Sequence, residues 1–264
     1  MTTPPNSQTS SVRIEKDGSV ATLRLVRPPV NAIEGTFCAD LVAALDTLEQ
    51  DPEVRGIILA GRPGLFSAGL DLPALLALDE AGMRAFWAQF AGMFLRLWST
   101  PLCVVAALEG HAPAGGTVLA ITADHRIMAD GPYKMGLNEV EVGLAVPVFL
   151  CEIVRSMLGQ RIAERVLTQG LMFSPLEALA VGFVDEVVAA DRVVEQARAE
   201  VLRRIARPDA ARRGTKAALR APHANAIASG LDAEVDGFIQ FWFSDDCQRE
   251  LRRVVAQLAA RKKA

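Results

Sequence analysis

The chain has 264 residues and a formal net charge of −3, with 51% hydrophobic and 22% charged residues, which is enough for one large globular core. It carries no basic stripe for nucleic acid, and no apolar run reaches the roughly 18 residues of a membrane span. Cys38, Cys103, Cys151 and Cys247 are scattered without a CxxC or a nearby histidine, so neither a disulfide framework nor a zinc site is indicated, and a reduced, intracellular protein is expected.

The N-terminus, MTTPPNSQTSSVR, lacks a charged-then-apolar signal and has no arginine before Arg13. Residues 1–12 are therefore expected to be a disordered tail, and the protein cytoplasmic. Val20–Val26 reads as a strand closed by Arg27-Pro28-Pro29. Phe37, Leu41, Leu45 and Leu48 then predict a helix over 35–50. Gly56–Ala60 is a buried strand, and 61–69 is a Gly/Pro-rich loop that holds Phe66 and Ser67 and runs into Leu70-Asp71-Leu72. Met83, Phe86, Phe90, Phe94 and Leu97 recur at helical spacing, a core face in the first instance and a wall for an acyl pocket in the second.

Leu102–Asp124 organises the middle of the chain. Its first seven residues are a continuous apolar run of strand length, the pattern of a strand covered on both faces. Gly110 and Pro113 force a loop, and a small-residue helix opens on Gly115 and Gly116. Free N–H groups at such a start favour an anion, and glycines let a ligand approach the backbone, although a close strand–helix contact needs small residues equally. Beyond it, 126–129 reads as a strand, 133–136 as extended, and Leu137-Asn138-Glu139 as a loop or helix start. Helices are predicted over 147–157, 161–169 and 175–180, and a last strand over 183–188. Strands alternating with helices imply mainly parallel pairing. From Asp191 the pattern is helical only, with segments over 210–221, 231–243 and 246–262 suited to packing on a partner chain.

Common nucleotide signatures are missing, and LFSAG around Ser67 is not a nucleophile elbow; a Ser67–His111 pair stays open on sequence alone. Two glycine-bearing segments remain, 68–72 and 114–116, each able to expose a backbone N–H. Two such donors converging on one oxygen would stabilise an oxyanion. A proton-transferring group is then needed, and Glu139, set among Met135, Gly136, Leu137 and Val140, is the candidate; the alternative is a glutamate favoured by a helix start.

FSAGLDL (66–72), PAGG (113–116), RIMAD (126–130), GLNE (136–139) and PLEALAVGFVDEVV (175–188) together resemble the crotonase, or enoyl-CoA hydratase/isomerase, family, and most closely its mitochondrial-type Δ3,Δ2-enoyl-CoA isomerases. The resemblance implies an α/β crotonase-like spiral of ββα units over 13–200 and a helical trimerisation region over 201–264. It implies an oxyanion hole from the N–H groups of Leu70 and Gly115. Ala68, Gly69, Leu70, Asp71 and Leu72, with Gly115, would line the thioester and pantetheine, Asp71 holding the loop, and Glu139 would be the catalytic acid–base group. Hydratases of this family carry a second glutamate where this chain has Val118, so the resemblance implies an isomerase of fatty-acid oxidation; a hydratase or another acyl-CoA lyase is the alternative, and a non-catalytic acyl-CoA binder a further one. Glu109 is assigned no chemistry. No metal or cofactor is implied beyond the CoA thioester of the substrate, no nucleic acid or membrane partner, and a homotrimer or hexamer is expected.

Overall fold

The computed structural model describes residues 10–261. The chain runs β1 (Val12–Asp17), β2 (Val20–Leu25), α1 (Gly35–Gln50), β3 (Gly56–Ala60), β4 (Gly64–Leu65), α2 (Leu72–Leu75) and α3 (Glu80–Ser99). It continues through β5 (Cys103–Leu108), β6 (Gly110–Pro113), α4 (Gly115–Ile121), β7 (His125–Ala129), β8 (Met135–Gly136), α5 (Val148–Leu158) and α6 (Gln160–Thr168). Then come β9 (Met172–Phe173), α7 (Pro175–Val181), β10 (Glu186–Val188), α8 (Val193–Ile205), α9 (Asp209–Trp242) and α10 (Asp245–Arg261). A six-stranded sheet has the order β1-β2-β3-β5-β7-β10, and a four-stranded one the order β4-β6-β8-β9. Pairing is parallel except for β1–β2 and β8–β9. This is the crotonase-like α/β architecture that the resemblance implies, helical C-terminus included.

Alternation along the central strands divides the core in two. Val104, Ala106 and Leu108 of β5 join the main core beneath α1 and α3, whereas Cys103, Val105 and Ala107 pack with Val193, Ala197, Val201 and Ile205 of α8. Gly56 lets α8 approach, since a Cβ there would lie 2.3 Å from Cγ1 of Val201.

Three differences from the sequence reading have local causes. β1 lies outside the predicted strands because, as an edge strand, it buries only Val12 and leaves no alternating signal. The expected tail falls mainly on residues outside the described ones, yet Val12 already belongs to the sheet. The segments 210–221 and 231–243 are one helix, α9, which passes through Pro222. Proline removes one helical hydrogen bond. Around it, Lys216 donates to Leu102 O at 2.7 Å and Arg220 to the carbonyls of Trp98 and Thr122, both at 2.8 Å, fixing the helix to the core. The C-terminal helices also use their apolar faces within the chain: Val235, Phe238, Ile239, Trp242, Cys247 and Leu251 join the main core.

Candidate active site

The loop after β4 is held by its own backbone. Ile33 N donates to Gly69 O at 2.8 Å, and Asp71 N donates to Ile33 O at 2.9 Å. In such a parallel bridge the residue between, Leu70, turns its own N–H away from Ile33. Gly69 adopts φ +82°, where a side chain is strained. Ser67 donates to Asn31 O at 2.7 Å and accepts from Gly69 N at 3.2 Å. Asp71 caps α2 through Ala74 N and pairs with Arg27 at 2.8 Å.

The second turn, after β6, meets the first. Ala114 has φ +46°, a strained conformation held by its N–H donating to Gly136 O at 2.8 Å. Thr117 fastens α4 by donating to Ala112 O and accepting from Gly136 N. A Cβ on Gly116 would lie 2.6 Å from Ser67 O, so the two turns pack backbone on backbone. Among the hydrogen bonds of the described residues, none is donated by the N–H of Leu70 or of Gly115.

Glu139 opens a short 3₁₀ turn, Glu139–Val142, closed by Leu144 N donating to Glu139 O at 2.8 Å. The residue is half-buried, but its Oε2 is sealed from solvent and accepts no hydrogen bond among the described residues. Desolvation, only slightly offset by a backbone hydrogen bond, pushes its pKa up to about 7. Leu70, Gly115, Val118 and Glu139 line one tight cavity of about 20 Å³, enough for roughly one water. Trp87 and Phe90 of α3 and Phe238 of α9 complete its apolar wall, and Glu139 is the only ionisable residue in its lining.

The structure thus brings Leu70, Gly115 and Glu139 together. Ala68, Gly69, Asp71 and Leu72 shape the loop and do not line this cavity. Ser67 and His111 do not pair: His111 Nδ1 accepts from Lys134 N at 3.1 Å. Glu109 is bound to Arg24 at 3.1 Å. The aromatic face of α3 is core and also wall. Trp87 and Phe238 escape sequence reasoning, since their placement depends on α9 returning across α3; the apolar spacing of α3 is the only signal for the former. Ligating atoms of His125, Glu186 and Glu200 lie within 4.8 Å of one another. However, Glu200 is bound by Arg203 and Arg204, and both ring nitrogens of His125 are engaged, by Glu186 at 2.9 Å and Arg204 at 3.0 Å. The guanidinium groups supply the positive charge there.

Two glycine-bearing turns and one carboxylate on this spiral define an acyl-CoA enzyme class: the chain belongs to the enoyl-CoA hydratase/isomerase family, which it matches over residues 15–260. Human mitochondrial enoyl-CoA delta isomerase 1 is 39% identical over 97% of this chain and 85% of its own length. The crystal structure of human mitochondrial Δ3-Δ2-enoyl-CoA isomerase matches with a TM-score of 0.93, covering 96% of this chain and 99% of that one. A probable enoyl-CoA hydratase of Mycobacterium avium (strain 104) is 32% identical over 84% of this chain and 88% of its own. The expectation of a cytoplasmic protein is overturned by these relatives, since the human, rat and mouse enzymes, 37% to 39% identical, are mitochondrial. Scattered, unbridged cysteines do not single out the cytosol.

Proposed function

We propose that the chain shifts the double bond of 3-enoyl-CoA thioesters to 2-trans-enoyl-CoA, in the oxidation of unsaturated fatty acids. The observation that carries this reading is a cavity with one ionisable side chain, Glu139, facing two unpaired backbone donors. The C2 proton of the substrate is acidified by the thioester and by the alkene. Glu139 removes it, and charge moves to the thioester oxygen, which the N–H groups of Leu70 and Gly115 receive. The dienolate then takes the proton back at C4 from the same carboxyl group. One oxyanion donor contributes about 2.7–4 kcal/mol, and positioned acid–base help about 10²–10⁴ in rate. A carboxyl group whose pKa is near 7 can both take and return a proton at neutral pH.

Val118, buried in the same cavity, offers no oxygen to hold or deprotonate water, so addition of water lacks a partner for Glu139. The test is the purified protein on 3-hexenoyl-CoA and 2-hexenoyl-CoA side by side. Isomerisation well ahead of hydration is expected; equal rates would make the hydratase alternative correct. A homotrimer, or a hexamer built from it, belongs to this proposal. The family likeness supports it, as do Leu219 and Leu258, which stay exposed on the C-terminal helices. Light scattering of the full chain tests it, and a well-folded monomer overturns it.

A further inference from the structure

Every residue of α4 is buried, and Thr117 carries the helix's only polar side chain. Side chains on a helix lean toward its N-terminus, so the hydroxyl of this third residue reaches back to the strand before it. It donates to Ala112 O at 2.6 Å and accepts from Gly136 N at 2.8 Å, fully out of contact with solvent. Ala112 and Gly136 stand on neighbouring strands, where Ala112 pairs with Met135 and Pro113 with Gly136. The hydroxyl therefore joins α4, β6 and β8 at a single oxygen. A buried hydroxyl is unfavourable unless it is bonded, so packing alone would place valine at 117.

Both main-chain polar groups of Gly136 are thereby held by the residues that bracket Gly115. Its carbonyl accepts from Ala114 N at 2.8 Å, and its N–H goes to Thr117. On the other side Leu171 O closes in, since a Cβ on Gly136 would lie 2.4 Å from it. Glu139 follows Gly136 three residues later. We propose that Thr117 is a positioning residue, whose hydroxyl fixes the Gly115 donor and the Glu139 carboxyl group relative to each other. This rests on the isomerase reading and deepens it. The thioester oxygen and C2 are both bonded to C1, so donor and base must reach two atoms of fixed separation at once. Slack between them forfeits the preorganised geometry on which such stabilisation depends. The bond from Ala114 is main chain and depends on no side chain; the bond to Thr117 is the half that a substitution can remove.

The experiment compares Thr117→Val, which keeps the shape and loses the hydroxyl, with Thr117→Ser, which keeps the hydroxyl. One readout is kcat and KM on 3-hexenoyl-CoA. The other is the ultraviolet enolate band of bound 3-oxohexanoyl-CoA, set against the Kd of hexanoyl-CoA, which has no 3-oxo group to stabilise an enolate. In Thr117→Val, kcat should fall about tenfold or more with KM nearly unchanged. The enolate band should weaken while hexanoyl-CoA binds as before, and Thr117→Ser should restore kcat and band together. Thr122→Val is the control. It removes another buried hydroxyl at the C-terminal end of α4, one that donates to Leu119 O at 2.7 Å within the same helix. It should lower the melting temperature without moving kcat or the band. Thr117→Ala makes the same comparison should Thr117→Val not fold. Wild-type kcat and enolate band in folded Thr117→Val overturn the proposal. An equal fall of kcat in Thr122→Val overturns it too, because the effect would then be a general softening of α4. If the wild type does not isomerise 3-hexenoyl-CoA, yet the enolate band and its loss in Thr117→Val persist, the isomerase reading fails and the positioning role stands.

Discussion

A Cβ built on Gly69 would lie 3.0 Å from the amide nitrogen of Gly115, and one built on Gly115 would lie 3.1 Å from the Cα of Gly69. The two turns that carry the free donors are thus in backbone contact, and their separation is set by the absence of two side chains. Gly69→Ala must strain a left-handed residue, at φ +82°, and push the turns apart. Displacing one oxyanion donor costs about 10²–10³ in kcat. The variant is expected to lose that much turnover on 3-hexenoyl-CoA while unfolding cooperatively a few degrees lower; near-full activity would mean the two N–H groups do not act together.

Glu139→Gln keeps size and polarity but cannot take a proton, so isomerisation should fall by about 10² or more while CoA-ester binding persists. The wild-type rate should rise with pH through about 7, as the base ionises. Stability should move the other way. The folded pKa lies above the ordinary 4.5, so the folded state holds the extra proton between those values, and stability falls as pH rises across that window. The full effect, reached above the folded pKa, is about 3 kcal/mol. Denaturant melts at pH 5 and pH 8 should show this slope in the wild type and its loss in Glu139→Gln.

Much of this is legible in the residues. α1 can be bounded because Phe37, Leu41, Leu45 and Leu48 recur on one face and all are buried, with Glu34 capping Thr36 and Phe37 at 3.0 Å. β3 and β5 can be read because strands buried on both faces are apolar without interruption. Leu70, Gly115 and Glu139 stand out through the motifs around them. The wall of the cavity does not, because Trp87 and Phe238 are far apart in the chain and meet only in the folded state. Pro222 hides the helix that makes that contact, since nothing local announces that Lys216 and Arg220 will hold it to the carbonyls of Leu102 and Thr122.

Asp71 joins two roles that a single substitution can separate. Its Oδ1 caps α2 at Ala74 N, and its Oδ2 pairs with Arg27 at 2.8 Å. Asp71→Asn retains an acceptor for the cap and removes the charge. A partly exposed pair is worth up to about 1 kcal/mol, so the melting temperature should fall only slightly. Arg27 also donates to Ala32 O, next to Ile33, which holds the Leu70 bridge. Loosening that support should lower kcat more than it raises KM. A drop in stability with kinetics unchanged would leave the Asp71–Arg27 pair a stabilising contact and nothing more.

Val118 tests whether one carboxylate is the reason for isomerisation. It is 1% exposed and lines the cavity with Glu139. Val118→Glu places a second ionisable group there, and burying it without a partner should cost several kcal/mol. Val118→Gln carries the same size and polarity without the charge, so the difference between the two variants isolates electrostatics from overpacking. Neighbouring carboxylates resist ionising together, and the pH midpoint for isomerisation should therefore move above about 7 in Val118→Glu and stay in place in Val118→Gln. Hydration of 2-hexenoyl-CoA should rise only in Val118→Glu, because only there can a second group help to deprotonate water. If Val118→Glu folds and both its pH midpoint and its hydration rate match those of Val118→Gln, the side chain at 118 does not share the electrostatic environment of Glu139, and the choice between isomerisation and hydration must be made elsewhere in the cavity.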